Sequence, residues 1–141
     1  MLKQVAYVTL FVRDQDKALD FYIKTLGFEK REENPAGRVK FVTVGLKGQD
    51  LQVVIWPGTP GNADPAAGPI PGTCIIDTSD LDGEFERLKA LGVEFVEKEP
   101  VVYPNGAGYA NFTDPDGNRL SLRGPAQAKN QQSPTPATVR E

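Results

Sequence analysis

Two stretches of the chain answer each other. Asp14-Gln15-Asp16, a helical pattern and Leu26-Gly27-Phe28-Glu29 are matched by Asp80-Leu81-Asp82, a second helical pattern and Leu91-Gly92-Val93-Glu94, the second copy one residue shorter. Self-similarity of this kind marks a duplicated supersecondary unit. Around each helix the sequence predicts strands. Residues 5–12 alternate, with Ala6, Val8, Leu10 and Val12 on an apolar side and Val5, Tyr7, Thr9 and Phe11 on a side of aromatic and hydroxyl groups. Asp14 or Asp16 caps a helix running to Leu26, with Ala18, Leu19, Tyr22 and Leu26 inward, and Gly27 stops it. Strands are expected over 28–33, 39–46 and 51–56. After the repeat point come a strand over 73–78, a helix from Asp82 to Leu91 with Phe85, Leu88 and Leu91 inward, and strands over 93–97, 108–113 and 119–123.

The predicted class is therefore α+β, with two β-α-β-β-β modules at 1–56 and 73–123. Residues 57–72 hold five prolines and four glycines, which excludes a helix or a central strand and reads as a linker. Residues 124–141 carry no periodic apolar pattern and are expected to form a disordered tail. A module of about 50 residues is marginal alone, so the two are expected to pair, within one chain or between subunits.

Composition narrows the chemistry more than the fold. The 141 residues include no histidine. That removes Ser-His-Asp and Cys-His arrangements and every imidazole metal site. The single cysteine, Cys74, excludes an internal disulfide and falls on the strand parity opposite the hydroxyl-bearing side, as a small buried hydrophobe would. A net charge of -3 carries no nucleic-acid footprint, and no apolar run is long enough for a membrane-spanning helix. With no signal peptide in the first residues, a cytoplasmic location is expected.

Phe11-Val12-Arg13-Asp14, Ala18-Leu19-Asp20-Phe21-Tyr22, Leu26-Gly27-Phe28 and Asp114-Pro115-Asp116-Gly117-Asn118-Arg119-Leu120-Ser121-Leu122 resemble the vicinal oxygen chelate superfamily of glyoxalases, bleomycin-resistance proteins and extradiol dioxygenases. The resemblance runs from about residue 4 to 123. It implies paired modules forming a cup of mostly antiparallel strands with helices outside, and a homodimer whose partner commonly completes the cup. It also implies metal ligands on four strands, which by motif spacing fall on Tyr7, Gln52, Thr73 and Ser121. A phenol, an amide and two hydroxyls are too weak to hold zinc, nickel or iron against water. The expectation is a cup without metal and without cofactor.

The lining expected from alternation is Tyr7, Thr9, Phe11, Gln52, Val54 and Trp56, joined by Phe41 and Thr43. From the second module come Thr73, Ile75, Asp77, Tyr109, Asn111, Arg119 and Ser121. This apolar and aromatic surface with a few hydrogen-bonding groups has the composition of a small-molecule pocket. Three functions follow. The first is a protein that binds or sequesters an aromatic compound, as in antibiotic resistance. The second is a metal-independent or weakly metal-assisted lyase, isomerase or dioxygenase-like enzyme using Tyr7 or Asp77 for proton transfer. The third is an interaction module with a vestigial cup. The near absence of acid-base groups favours the first.

Overall fold

The computed structural model describes residues 1–59 and 72–126. Most of the Pro/Gly-rich segment and the tail from 127 onward thus lie outside the described residues. The chain divides into two compact units, one of residues up to 59 together with Asp114–Asn118, the other of residues 72–113 and 119–126.

The first unit runs β1 (Tyr7–Val12), α1 (Gln15–Asp20), a π-helical turn (Phe21–Thr25), β2 (Glu29–Ala36), β3 (Val39–Gly45) and β4 (Gln52–Pro57). Its sheet has the order β1-β4-β3-β2, with β1 parallel to β4 and the other pairs antiparallel. The second unit runs β5 (Cys74–Asp77), α2 (Leu81–Ala90), β6 (Glu94–Phe95), β7 (Val101–Val102), β8 (Ala107–Thr113) and β9 (Arg119–Pro125). Its order is β5-β9-β8-β6, with β5 parallel to β9 and β7 also on β8. The same strand order, with the first strand parallel to the last, occurs twice. The α+β class and the β-α-β-β-β plan agree with the sequence reading, and β7 is an addition to it.

Alternation decides which side of each sheet is dry. In the first unit Leu10 and Val12 of β1, Val42 and Val44 of β3, and Val53 and Ile55 of β4 are buried together with Ala18, Leu19 and Tyr22 of the helical segment. In the second, Leu81, Phe85 and Leu88 face inward at helical spacing, α2 packs on β8 and β9, and the Phe85, Phe95 and Phe112 rings stack in sequence. The first helix is capped by Asp14, one of the two expected residues, and the second by Asp80. The Asp14 carboxylate accepts from the N–H groups of Asp16 and Lys17 at 2.9 and 3.2 Å, and that of Asp80 from Gly83 N–H at 3.0 Å. Gly27 and Gly92 take the left-handed conformation that ends the two helical segments, at φ 85° and 92°.

Several expectations need correction. Leu91 is 56% exposed because the helix ends at Ala90 and leaves it as the C-cap, and Leu81, in a helix that begins one residue earlier than expected, is buried with Phe85 and Leu88 instead. Ala6 and Val5 lie exposed ahead of β1 and do not join its faces. The first helix is α-helical only to Asp20, where five residues close as a π turn. The tail begins later than 124: Gly124 and Pro125 belong to β9, and Ala126 is buried. Gly124 explains why that extension is possible, since a Cβ there would lie 2.1 Å from the carbonyl oxygen of Thr78.

The Asp-Pro-Asp-Gly-Asn segment does more than turn. Gly117 alone in it has a positive φ, while Asp114 is 4% exposed and its carboxylate accepts four hydrogen bonds. Oδ1 accepts from the N–H groups of Asp116 and Asn118 at 2.9 and 2.8 Å. Oδ2 accepts from the Tyr22 hydroxyl at 2.8 Å and from Asn118 Nδ2 at 2.9 Å. Asn118 Nδ2 also donates to the Phe11 carbonyl at 2.8 Å, and Asp116 accepts from Arg13 N–H at 2.8 Å. Turn, helix and the end of β1 are fixed by one buried carboxylate.

Asp114→Asn sets an amide NH2 against donors that need an acceptor, and should lower unfolding free energy in urea by about 2–4 kcal/mol; Tyr22→Phe should lower it by about 1 kcal/mol. Gly124→Ala should cost about 2 kcal/mol or more because the Thr78 backbone must move. A melt unchanged from wild type would contradict either account.

Candidate functional site

The face of the first sheet away from the helix collects the residues that alternation nominates. The register of β1 on β4 sets Tyr7 beside Gln52, Thr9 beside Val54 and Phe11 beside Trp56. Val54 is in turn opposite Thr43, and Thr43 opposite Glu32, while Phe41 is opposite Asn34. Residues directly opposite share a face, so Tyr7, Thr9, Phe11, Phe41, Gln52, Val54 and Trp56 are brought together with Thr43. Tyr7 and Phe11 remain 43% and 42% exposed, whereas Val54 is buried.

A polar chain runs across this face. The Tyr7 hydroxyl donates to Glu32 Oε2 at 2.6 Å, and the Tyr7 ring meets the edge of Phe41 at 5.9 Å between centroids. Its side chain therefore lies across β4 and β3 to reach β2. The Glu32 backbone N–H donates to Thr43 Oγ1 at 3.1 Å, which leaves the Thr43 hydroxyl to donate to Gln52 Oε1 at 2.5 Å. Thr43 thereby turns the Gln52 amide, pointing its NH2 away. The hydrogen bond to Glu32, with some desolvation and the neighbouring negative charge, raises the Tyr7 phenol above its ordinary value. The phenol is neutral at pH 7 and acts here as a donor.

Glu32 was not among the nominated residues. Its neighbourhood, Glu29-Lys30-Arg31-Glu32-Glu33, is uniformly charged and gives no alternation to read, and a bulge between Lys30 and Glu32 shifts the parity. Thr43 was visible from parity alone.

The second sheet gathers its own set. Ile75 stands opposite Ser121 and Asp77 opposite Arg123 across β5 and β9, and Asn111 stands opposite Ser121 and Tyr109 opposite Arg123 across β8 and β9. Thr73 is exposed just before β5, where its N–H donates to the Arg119 carbonyl at 2.7 Å. Ile75 is exposed and Arg119 half-buried. Asn111 and Ser121 are buried and satisfied: the Ser121 hydroxyl accepts from Gly72 N–H at 3.0 Å and donates to Asn111 Oδ1 at 2.5 Å, and Glu97 accepts from Asn111 N and Nδ2. Asp77 is exposed and held by Arg123 at 2.9 Å. Cys74 is on the other parity and half-buried, and burial pushes its thiol pKa up, away from nucleophile chemistry.

The donor set does not fit a transition metal. Of the four positions where the superfamily resemblance implies ligands, Tyr7 is engaged by Glu32, Gln52 by Thr43 and Ser121 by Asn111, while Thr73 offers one neutral hydroxyl. Among the described residues no group of three or more His, Cys, Asp or Glu side chains is placed to hold an ion. Among them, too, no helix is long and apolar enough to cross a membrane.

Comparison with known proteins agrees with this architecture. Residues 4–122 match the sequence pattern of the Glyoxalase/Bleomycin resistance protein/Dioxygenase superfamily. The chain is 30% identical over 124 residues to YetH of Bacillus subtilis (strain 168), covering 87% of this chain and 99% of YetH. Among solved structures it resembles a member of the same superfamily from Sphaerobacter thermophilus DSM 20745, with 33% identity, a TM-score of 0.74 and coverage of 89% and 98%. It also resembles TnmS3, an antibiotic binding protein from Streptomyces sp. CB03234, with 31% identity, a TM-score of 0.71 and coverage of 88% and 97%. The family match spans most of the chain and the strand order repeats as its two halves require, so the chain belongs to the Glyoxalase/Bleomycin resistance protein/Dioxygenase superfamily.

Proposed function

We propose that this chain binds a small aromatic organic molecule on the open face of its first sheet, by stacking and hydrogen bonding, and releases it unchanged. The observation that carries the reading is the pairing of exposed Tyr7 and Phe11 with Phe41 and Trp56 around hydroxyl, amide and carboxylate groups. Aromatic surface with few, well-placed polar groups is what a planar guest requires. The likeness to TnmS3, which is an antibiotic binding protein, supports sequestration of such a compound as the biological role.

Binding is favoured over turnover by the state of the two candidate proton-transfer groups. Tyr7, with its pKa raised, is a poor base at neutral pH, and Asp77 is tied to Arg123 on the second sheet. The second sheet, taken by itself, offers Thr73, Ile75, Asp77, Tyr109 and Arg119 as a further lining, braced by the hydrogen bond between buried Asn111 and Ser121, and the reading includes a metal-free and cofactor-free site, a cytoplasmic location and a homodimer.

Titration with a panel of fused-ring aromatic compounds should quench Trp56 fluorescence, and chromatography should return the quenching compound unaltered. Phe11→Ala should weaken that binding about three- to tenfold, the worth of one aromatic contact. Conversion of the compound by the wild-type protein, lost in Tyr7→Phe, would replace binding with catalysis. Tag-free protein purified without added metal should carry under about 0.1 equivalent of any transition metal; near-stoichiometric zinc, nickel, iron or manganese would overturn the metal-free part.

A further inference from the structure

The Tyr7–Glu32 pair leaves one charge unanswered. Glu32 Oε2 accepts the Tyr7 hydroxyl, but Oε1 has no partner among the described residues. A tyrosine hydroxyl satisfies one oxygen and supplies no compensating charge. Arg31, the neighbour of Glu32 in sequence, is committed elsewhere. Its guanidinium lies against Gly45 and donates to the carbonyls of Leu46 and Gln49, and its Nε stands 3.4 Å from a Glu29 carboxylate oxygen. Lys30 is paired with Glu33 at 2.8 Å and Lys40 with Asp16 at 2.8 Å. The basic side chains of β2 and of β3 are thus spent on other acceptors, and a half-buried carboxylate stands open beside two aromatic rings set edge to face.

We infer that Glu32 is the residue by which this face reads charge, and that the guest is an aromatic compound bearing a protonated amine. Two attractions converge on such a group. A carboxylate oxygen accepts a charge-assisted hydrogen bond from an ammonium, and the faces of the Tyr7 and Phe41 rings attract a cation. An anionic guest meets repulsion at the same place, and a neutral one leaves the carboxylate desolvated without a counter-charge. Gln52 adds a complementary contact. With its oxygen taken by Thr43, its NH2 has no partner among the described residues and is offered to an acceptor on the same guest. This inference rests on the aromatic-binding reading and deepens it.

The test uses one ring system in three charge states. At pH 7 and low salt, 2-naphthylmethylamine, 2-naphthylmethanol and 2-naphthoate are titrated by calorimetry into the full-length protein. The amine should bind about tenfold or more tighter than the alcohol, as a charge-assisted hydrogen bond implies, and the naphthoate weakest. Glu32→Gln, judged folded by its melt, should bring the amine-to-alcohol ratio close to one. Tyr7→Phe, which frees the second carboxylate oxygen, should keep or raise the ratio. Equal binding of amine and alcohol, tighter binding of naphthoate, or a ratio that survives in folded Glu32→Gln would each overturn the charge reading and leave aromatic binding standing. Should Glu32→Gln fail to fold, a ratio that falls in Tyr7→Phe overturns it instead. If none of the three probes binds, the aromatic-binding reading fails, and this inference with it.

Discussion

The parallel pairing of β1 with β4 is the constraint on which the open face of the first sheet depends. Side chains alternate along a strand, so displacing this ladder by one residue would carry Tyr7, Thr9 and Phe11 into the helix side and bring Leu10 and Val12 to water. The register is held from both directions. On the dry side Leu10 and Val12 are buried with Val53 and Ile55 of β4, and a slip of β1 would expose both of its own apolar residues. At the end of β1 the Phe11 carbonyl is gripped by Asn118, which Asp114 positions, and the Gly58 N–H closes on the Val12 carbonyl at 2.8 Å. The aromatic row is thus placed by apolar burial on the opposite side of the same strands and by a buried carboxylate at one end.

That division of labour separates residues that hold the sheet from residues that are free to meet a guest. Asp114, Tyr22 and Asn118 are buried and hydrogen-bonded to one another, and they reach out to the Asp116 N–H and the Phe11 carbonyl. Tyr7, Glu32 and Gln52 lie on the other side with donors or acceptors to spare. In the second sheet the balance differs: Asn111, Ser121 and Glu97 answer one another, and Asp77 answers Arg123. Strand order is common to both halves, but their polar faces have diverged, the first remaining open and the second largely satisfied internally.

Alternation made much of this legible in the sequence. Tyr7, Thr9 and Phe11 can be assigned to one face because Val8, Leu10 and Val12 claim the other, and Gln52, Val54 and Trp56 follow by the same rule. What escaped was contact that no periodicity encodes. Glu32 sits in a run of charges interrupted by a bulge, so its parity has no apolar reference. The pairing of Ser121 with Asn111 joins two strands ten residues apart, and each looked like a free lining group. Leu81 is buried and Leu91 exposed because α2 runs from the Asp80 cap to Ala90, which sets Leu81 one turn before Phe85 on the same face and leaves Leu91 past the last helical residue. Asp114 and Asn118 were visible as turn residues, but a carboxylate that gathers four donors is a tertiary fact.

The π turn at Phe21–Thr25 bears on the history of the chain. The two copies of the repeat differ in length by one residue, and this turn is where the longer copy accommodates it: the Phe28 N–H reaches back six residues to Tyr22, whereas the corresponding Val93 N–H reaches five to Leu88. An α-helix that gains a residue without being unwound bulges in this way. A single-codon insertion in one copy after gene duplication would be absorbed as a local widening, with Tyr22 and Phe28 still in the core and the strands that follow still in step.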